Sequence, residues 1–434
     1  MNTNFVQDAM HEVENLLKNA FTKAMQDGKL PEAEIPSFTV EIPAETTHGD
    51  FASNAAMVSA RTFRNAPVKI ANILKEEMDF STARYIDRVE IAGPGFINFF
   101  VSPLWFADIV SGVLAAKENY GRSDYGKGEK VMIEFVSANP TGPMHMGNAR
   151  GGAIGDCLAA AMDACGYDVT REFYINDAGN QIEKFGLSLE ARYLQIFKGE
   201  DAVEFPEDGY HGLDIVDTAK AIKEKDGRKY LDMDEKDRLA AFKVIALKEK
   251  LDVIKKDLGD LRVTFDTWYS EKSLYPDKVH EALEPMKKSG ALYEKDGAWW
   301  MATTKEGDDK DRVVIRSNGV PTYFCSDIAY HKDKFKRGAK KLIDIWGADH
   351  HGHVARMKGA MDAIGYNSDN LTIMLMQLVR LYQNGEVVRM SKRTGQYVTL
   401  QELIEEVGKD AARYFFIMRN PDSHLDFDLD LAKQ

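Results

Sequence analysis

At 434 residues, the chain is too long for one hydrophobic core, and its length predicts roughly two to four domains. The apolar fraction of 44% and the charged fraction of 29% are typical of a soluble globular protein. No apolar run reaches the length of a membrane span, and the N-terminus carries acidic residues where a signal peptide carries basic ones. The three cysteines include no CxxC pair, which argues against a disulfide framework or a Cys-based zinc site and favours the reducing cytoplasm. The net charge of −13 argues mildly against non-specific nucleic-acid binding.

The first part of the chain predicts an α+β domain over residues 1–125. Apolar residues recur at helical spacing from Val6 to Phe21, and Gly28 and Pro31 end that helix. The run RVEIAGPGFINFFVS predicts two strands separated by a Gly-Pro-Gly break. The polar, Gly-rich stretch GRSDYGKGEK predicts a linker, so we expect the domain boundary near residue 125.

The next part has the pattern of an α/β domain with a parallel sheet, at residues 126–370. The strand KVMIEFVS is followed by a glycine-rich turn (residues 137–148), an apolar helical stripe and the strand YDVTREFYIND. This βαβ unit implies a parallel sheet that binds ligands at the carboxyl ends of its strands. Long charged helices and an aromatic-rich stretch predict an insertion at about residues 190–300, and WWMAT, VVIRS and KLIDIW are expected to complete the sheet. Residues 371–434 are expected to be mainly helical.

Two further stretches have both a structural and a functional interpretation. The run HKDKFKRGAKK at residues 331–341 contains six Lys or Arg residues and one Asp, which predicts either a solvated helix face or a contact with phosphate groups. The run WGADHHGH contains three His and one Asp after a predicted strand, a composition that a zinc site could use.

Three kinds of phosphate-binding sequence compete to explain the glycine-rich turn. Gly147, Gly151, Gly152 and Gly155 lack the GxGxxG spacing of a dinucleotide fingerprint, and no GK[ST] motif of a Walker loop occurs in the chain. The third kind is an HxGH-type signature, in which His145 and Gly147 precede a helix. A helix N-terminus offers unpaired N–H groups and positive dipole character, which suit the phosphates of a nucleoside triphosphate. A capped helix after a tight turn is the alternative.

A second signature, RMSKR at residues 389–393, lies far downstream of HMGN at residues 145–148. In this order the pair resembles HIGH and KMSKS, the two signatures of class I aminoacyl-tRNA synthetases. The segments GDFASNAA, AGPGFINFF, YINDAGNQIEKFG, FDTWYSEKSLY and RNPDSHLDFDLDLAK resemble arginyl-tRNA synthetases of the bacterial type, and this resemblance covers essentially the whole chain. It implies a Rossmann-like class I catalytic domain with a helical insertion, preceded by an N-terminal extra domain that binds the tRNA elbow.

The resemblance implies an arginine–tRNA ligase, which forms arginyl-adenylate from L-arginine and ATP and then transfers the arginine to tRNA(Arg). Mg²⁺ is expected to arrive with ATP, and no metal held by the protein itself is expected. The implied catalytic residues are His145, Asn148 and Lys392, and Lys392 would reach the departing pyrophosphate. Asn148 stands where the signature usually has a second histidine, so it cannot supply positive charge, and a helix N-cap is its alternative role. The residues implied to bind ATP are His145, Gly147, Asn148, Gly347, Asp349, His350, Met390, Ser391 and Lys392.

An arginine pocket needs fixed acceptors, because a guanidinium group is a planar cation with five donors. Tyr323 and Asp327 share one face of a predicted helix, and the resemblance places them at the guanidinium group. It places Glu134 and Asn139 toward the α-amino end and assigns Ser137 to the same pocket. A structural salt bridge is the alternative role for Asp327 and for Glu134.

The resemblance also implies that Phe96 and Asn98 of the N-terminal domain contact tRNA, with Phe96 stacking on a base and Asn98 reading its edge. A core position is the alternative for Phe96. The expected partners are tRNA(Arg), L-arginine and ATP, with no membrane, and we expect a cytoplasmic monomer. The end of the chain leads in the family into a helical anticodon-binding domain that this sequence lacks, so we expect a truncated chain. The apolar residues then expected to lack packing partners are Leu425, Phe427, Leu429 and Leu431.

Two other functions fit parts of the sequence. A stand-alone nucleotidyltransferase also uses an HxGH turn, but it does not need the RMSKR segment together with an arginine pocket. A catalytically silent synthetase paralogue that only binds tRNA would be favoured by the loss of His145 or Lys392, and both residues are present.

Overall fold

In the computed structural model of the protein, the described residues are 4–140, 142–178, 180–388 and 398–434. The chain divides into two compact units, Met1–Ser123 and Asp124–Gln434. The division falls within the polar, Gly-rich stretch at residues 121–130. Within the described ranges, no helix combines the length and the apolar composition that crossing a membrane requires.

The N-terminal unit packs helices against an antiparallel sheet of order β1-β2-β4-β3, which agrees with the predicted α+β class. Helix α1 begins after Asn4, whose side chain accepts a hydrogen bond from the Gln7 N–H. The apolar face of this helix is buried together with Ile97 and Phe99 of the central strand. The elements are α1 (Phe5–Gln26), β1 (Val40–Glu41), β2 (Phe51–Ser53), α2 (Ala55–Phe63), α3 (Pro67–Glu77), β3 (Ile86–Ala92), β4 (Phe96–Val101) and α4 (Pro103–Ala116).

The second unit alternates strands and helices around a five-stranded sheet. Its first half consists of β5 (Lys130–Glu134), α5 (Met146–Ala164), β6 (Asp168–Ile175), α6 (Asn180–Lys198), α7 (Leu213–Asp226), α8 (Glu235–Asp260), β7 (Thr267–Ser270), α9 (Asp277–Ser289), β8 (Leu292–Lys295), β9 (Ala298–Met301) and β10 (Arg312–Ile315). Its second half consists of α10 (Tyr323–Lys336), β11 (Lys341–Gly347), α11 (His351–Ala363), β12 (Leu371–Met376), β13 (Val379–Gln383), β14 (Glu386–Val388), α12 (Leu400–Val407), α13 (Lys409–Ile417), β15 (Leu425–Asp428) and α14 (Leu429–Ala432).

The five-stranded sheet is parallel throughout and has the order β12-β11-β5-β6-β7. The chain therefore builds the sheet outward from β5 in one direction and returns to the other side of β5 with β11. In such sheets, the crevice between two strands where the order reverses is the usual ligand site, at the carboxyl ends of the strands. The predicted α/β class with a parallel sheet is confirmed, and its crevice lies between β5 and β11.

Helix α5 lies close to the sheet because Gly155 has no side chain. A Cβ atom at this position would overlap the ring of Phe135, which directly follows β5. The fully buried Arg150 ties the same helix to the C-terminal part of the chain. Its guanidinium group donates to the backbone oxygens of Gln377 at 2.8 Å, Ser423 at 3.0 Å and Asn420 at 3.0 Å.

Two of the strands predicted for the parallel sheet belong elsewhere. The segments WWMAT and VVIRS form β9 and β10, which pair with β8 in a separate antiparallel sheet of order β10-β9-β8. The range 190–300 predicted as an insertion also contains β7, the outer strand of the parallel sheet. Aromatic stacking fixes β7 there, because Trp268 packs on Phe173 and Tyr269 packs on Tyr174 of β6.

The C-terminal segment is less helical than predicted and better packed. Strands β13, β14 and β15 form a three-stranded sheet, in which β15 runs parallel to β13. The prediction that the final leucines and Phe427 lack packing partners is wrong for three of the four residues. Leu425, Phe427 and Leu429 are buried in the main core, and only Leu431 is exposed.

Candidate active site

A cavity of about 210 Å³ opens at the carboxyl ends of the central strands, in the crevice between β5 and β11. Strand β6, helix α10 and the start of helix α11 contribute the remaining walls. Its lining combines carboxylates, histidines and aromatic rings from segments far apart in the sequence, which are Glu134, Val136, Ser137, Tyr174, Asp327, Tyr330, His331, Ile345, Trp346, Gly347, His350 and His353.

The backbone after β5 is strained where it enters the cavity. Val136 has φ of 69° and Ser137 has φ of 39°, in a region that residues with a Cβ atom rarely occupy. This turn directs the Ser137 hydroxyl back to the strand, where it donates to Glu134 Oε1 at 2.8 Å. The Ser137 hydroxyl oxygen in turn accepts the Tyr174 N–H of β6 at 3.1 Å. Strain of this kind is typical of functional sites, because the surrounding fold must hold it in place.

Asp327 of α10 faces the cavity and accepts a hydrogen bond from a histidine. His353 Nε2 lies 3.1 Å from Asp327 Oδ2, and Arg356 Nη1 lies 3.3 Å from His353 Nδ1. Because an arginine can only donate, Nδ1 is the acceptor and Nε2 carries the proton that it donates to Asp327. Arg356 is held in turn by Asp308, whose pKa is strongly lowered by hydrogen bonds from Arg312 and from Arg356.

A second carboxylate beside Asp327, that of Glu271, was not identified in the sequence. It follows β7 directly and is only 2% exposed. Burial, with repulsion from Asp327 and Asp177, raises the pKa of Glu271 to about 7, although Tyr174 and Tyr275 donate hydrogen bonds to it. The sequence feature that could have identified Glu271 is its position directly after an aromatic-rich strand, at the carboxyl edge of the sheet. That signal was lost because β7 was assigned to the insertion.

The first signature caps helix α5. His145 is the N-cap residue, and its Nδ1 accepts the Asn148 N–H at 3.4 Å, while Asn148 Oδ1 accepts the His145 N–H at 3.4 Å. Asn148 is therefore the third residue of the helix and not its N-cap. Since Nδ1 accepts, the proton lies on Nε2 of the neutral ring, and desolvation lowers the pKa of His145, which keeps the ring neutral. A Cβ atom at Gly147 would lie 3.2 Å from Cε1 of the His145 ring.

The second signature and the residues after it, 389–397, lie outside the described residues, so Met390, Ser391 and Lys392 have no described position. The chain on their C-terminal side is described, and it lies beside the first signature. Thr399 forms an isolated antiparallel bridge with His145, and the Leu400 N–H donates to the Met144 oxygen at 2.8 Å. The described residues that follow the second signature thus adjoin the start of α5 in space.

The remaining predicted site residues lie around the cavity to different extents. Glu134, Ser137, Asp327, Gly347 and His350 line it together. The other three predicted residues of this region do not belong to its described lining. Asn139 instead accepts a hydrogen bond at its Oδ1 from Asn176 Nδ2 at 3.1 Å. Tyr323 is exposed at the first turn of α10, and Asp349 is exposed beside His350.

In the N-terminal unit, Phe96 and Asn98 both lie on β4, between β2 and β3. Phe96 is half-buried and Asn98 is 5% exposed. The assignment of this pair to tRNA stays a prediction.

The zinc interpretation of residues 346–353 finds no support. Among the described residues, no group of three or more His, Cys, Asp or Glu side chains is arranged to hold a metal ion. His353 instead contacts Asp327 and Arg356, while the Trp346 ring packs beside His350 and His353.

The basic stretch at residues 331–341 is not the surface patch that was predicted. His331, Lys332 and Lys334 are buried, and Lys332 donates to the Glu281 backbone oxygen at 2.7 Å. Of the exposed lysines, Lys341 lies 3.2 Å from a carboxylate oxygen of Glu129. The charges of this stretch are therefore largely matched within the protein, which argues against a contact with phosphate groups.

A parallel sheet with its crevice between β5 and β11, and a capped helix whose first turn carries His145 and Gly147, together define a class I aminoacyl-tRNA synthetase. Residues 109–428 match the family described as "tRNA synthetases class I (R), catalytic domain", and residues 11–101 match "Arginyl tRNA synthetase N terminal domain". The chain belongs to the arginyl-tRNA synthetases.

Individual relatives agree with this assignment. The arginine–tRNA ligase of Acetivibrio thermocellus is 55% identical over 432 residues, which cover 99% of this chain and 76% of that protein. An arginyl-tRNA synthetase structure from Campylobacter jejuni is 39% identical with a TM-score of 0.70, and covers 77% of this chain and 72% of that one. The Thermus thermophilus arginyl-tRNA synthetase, 18% identical with a TM-score of 0.61 over 97% of this chain and 78% of that one, shows the same fold.

Proposed function

We propose that this chain activates L-arginine with ATP and transfers it to tRNA(Arg), and that the cavity between β5 and β11 is its arginine site. The observation that carries this proposal is the placement of carboxylates at the cavity. Asp327 lines it, and Glu271 lies close enough to Asp327 for the two to repel each other. Two neighbouring carboxylates suit a planar cation with several donors better than a point charge.

The two ends of arginine would meet different groups. Asp327 and Glu271 would receive the guanidinium group, and Tyr323 would reach it from the exposed first turn of α10. Glu134 at the end of β5 and Ser137 in the turn that follows are hydrogen-bonded to each other, and they would hold the α-amino end, with Asn139 nearby. This orientation leaves the α-carboxylate of arginine directed toward the start of α5.

The first chemical step is an attack by the arginine carboxylate on the α-phosphorus of ATP, with pyrophosphate leaving from the opposite side. His145 would donate its Nε2 proton in a hydrogen bond to a phosphate oxygen, and the free N–H groups at the start of α5 add positive potential there. Asn148 would act by holding His145, Lys392 would compensate the charge of pyrophosphate, and Mg²⁺ would enter with ATP. Gly347, Asp349 and His350 would contact the adenosine, with Met390 and Ser391 beside the nucleotide. In the second step, a hydroxyl group of the terminal ribose of tRNA attacks the arginyl carbonyl carbon and AMP leaves.

The experiment is arginine-dependent exchange of pyrophosphate into ATP, with and without tRNA(Arg). Exchange that depends on arginine supports the proposal, exchange without arginine indicates a stand-alone nucleotidyltransferase, and tRNA binding without exchange indicates a silent paralogue. Asp327→Asn should weaken arginine binding by about 1.5–3 kcal/mol, because a hydrogen bond to a charged group is lost, and should leave ATP binding unchanged. Equal losses for arginine and ATP in calorimetry would make Asp327 structural.

We further propose that the enzyme works as a cytoplasmic monomer. All three cysteines are unpaired, as a reducing compartment would keep them. Light scattering combined with size exclusion measures the mass directly, and a dimer at working concentration would contradict the proposal.

A further inference from the structure

A lysine without any exposed surface lies directly beneath the arginine cavity. Lys334 of α10 is 0% exposed, and its Nζ donates to Glu134 Oε2 at 2.5 Å and to Asp344 Oδ1 at 2.8 Å. Glu134 ends β5 and Asp344 lies in the adjacent strand β11, so the ammonium group bridges the two strands that form the crevice. A buried lysine needs such partners, because an uncompensated charge in the protein interior is strongly unfavourable.

The bridge continues to the other end of the cavity through His331. Its Nε2 lies 2.7 Å from Asp344 Oδ2, and its Nδ1 lies 2.7 Å from the backbone oxygen of Asp327. A carbonyl oxygen only accepts, so Nδ1 carries a proton, and Nε2 must carry one as well if Asp344 is ionised. Burial opposes that ionisation, but Lys334 and His331 lower the pKa of Asp344 to about 2. Glu134, Lys334, Asp344 and His331 therefore form one continuous chain of hydrogen bonds beneath the cavity.

The ionisation and the orientation of the Glu134 carboxyl group both depend on Lys334. Burial raises the pKa of its carboxyl group, the Lys334 ammonium group opposes that shift, and repulsion from Asp344 adds to it. One carboxylate oxygen accepts from Lys334 and the other from the Ser137 hydroxyl, which fixes the orientation of the group. Each carboxylate oxygen has a second lone pair, so both can accept from a further donor in the cavity.

We infer that Lys334 is a positioning residue of the arginine site, which holds Glu134 as an oriented anion so that it can receive the α-ammonium group of the substrate. This inference rests on the proposed function, in which Glu134 contacts the amino end of arginine. Lys334 does not itself contact the substrate in this arrangement, because Glu134 lines the cavity whereas the fully buried Lys334 does not. Replacing it should impair recognition of the α-amino group specifically, and recognition of the guanidinium group much less.

The test compares two ligands that differ only at the α-carbon, L-arginine and 5-guanidinopentanoic acid, which lacks the α-amino group. Calorimetry gives both dissociation constants, and their ratio measures how strongly the protein recognises the amino group. Both ligands carry the guanidinium group, so any proton exchange at Glu271 cancels in the ratio. The charged and titratable groups around Glu134 whose ionisation the pH series below must consider are Lys334, His331, Asp344, Glu172, Tyr174 and Tyr330.

The wild type should favour L-arginine, and Lys334→Met should reduce this preference by roughly tenfold at pH 7, as expected for a lost hydrogen bond to a charged group. Raising the pH should restore part of the preference, because Glu134 then ionises without help. The matched control is Lys332→Met, on the same helix and also buried, whose lysine bonds to Glu281 and not to Glu134. This control should keep the full preference.

The outcomes separate the inference from the proposed function. If Glu134→Gln removes the preference and Lys334→Met retains it, the inference is overturned and the proposed role of Glu134 stands. If Glu134→Gln leaves the preference unchanged, the proposed role of Glu134 in binding the amino group is wrong, and the inference about Lys334 is overturned with it. If Lys334→Met does not fold, the pH series on the wild type is the test. The wild-type preference for L-arginine over 5-guanidinopentanoic acid should stay constant from pH 8 to pH 6. A preference that falls steadily over this range would show that Lys334 does not keep Glu134 ionised.

Discussion

Arginine binding should release a proton from Glu271 near neutral pH. The carboxyl group is 2% exposed, and burial together with Asp327 and Asp177 raises its pKa to about 7. A guanidinium group beside Glu271 and Asp327 favours the ionised form, so the bound state has a lower pKa than the free state. The sign is therefore fixed, because arginine binds the deprotonated site better and its affinity rises with pH.

The size of the effect follows from the pKa of the free site. With a pKa of about 7, Glu271 is about nine-tenths protonated at pH 6 and about one-tenth protonated at pH 8. The affinity for arginine should then increase roughly tenfold between these pH values, or about 1.4 kcal/mol. At pH 7, each bound arginine should release about half a proton.

Calorimetry in two buffers with different ionisation enthalpies measures the released protons directly. Titrations from pH 6 to pH 8 then give the slope of the affinity. Glu271→Gln is the control, and it should bind arginine more weakly at pH 8 with little dependence on pH. An affinity that is independent of pH in the wild type would refute this reasoning, and a slope that survives in Glu271→Gln would place the proton on another group.

Two further variants test the first signature helix. His145→Ala should slow pyrophosphate exchange by roughly 10²–10³-fold while arginine affinity stays nearly constant, because a donor to the transition state is lost; a parallel loss of arginine affinity would argue for a structural role instead. Arg150→Met should lower the free energy of unfolding by about 2–4 kcal/mol in urea titrations, because three backbone oxygens lose a buried donor. A change below about 1 kcal/mol would mean that water or a local shift satisfies these oxygens.

Local patterns were sufficient to predict the centre of the fold. The strand β5, the helix α5 and the strand β6 follow each other closely in sequence, and their hydrophobic spacing specifies each element. The start of α5 was also predictable, since His145 and Gly147 act on their own helix. The resemblance to a known family added Glu134, Ser137, Asp327, Gly347 and His350, five predicted residues that line one cavity.

The errors came from contacts that join distant parts of the chain. Lys334 lies in a stretch that has the composition of a solvated helix, and its partner Glu134 is 200 positions away. Similarly, Leu425 and Phe427 were expected to lack partners because a further domain was taken to cover them, whereas β15 pairs with β13. The hydrophobic pattern of β9 and β10 predicts strands but does not specify which sheet they join. Composition and periodicity report the environment of a side chain only when its neighbours are local.

The two ends of the arginine cavity have opposite electrostatic conditions, and this difference bears on specificity. At the β5 end, the carboxylates of Glu134 and Asp344 are already matched by Lys334 and His331. The amino end of any α-amino acid adds an ammonium and a carboxylate group together, so it suits a region that is neutral beforehand. At the α10 end, Glu271 and Asp327 repel each other, and His353 donates a hydrogen bond to Asp327.

In the proposed orientation of arginine, that repulsion would make the guanidinium end selective for a cation. A neutral side chain of the same shape, such as the ureido group of citrulline, would bring no countercharge to Asp327 and would leave Glu271 with the raised pKa of the free site. A lysine side chain brings a cation, but its single ammonium group cannot donate in a plane to two carboxylates as a guanidinium group does. Only a planar cation with several donors relieves the repulsion between Glu271 and Asp327 at both carboxylates at once. On the proposed orientation, the side chain would be selected where two carboxylates repel each other, and the amino-acid backbone would be held where Glu134 and Asp344 are already paired with Lys334 and His331.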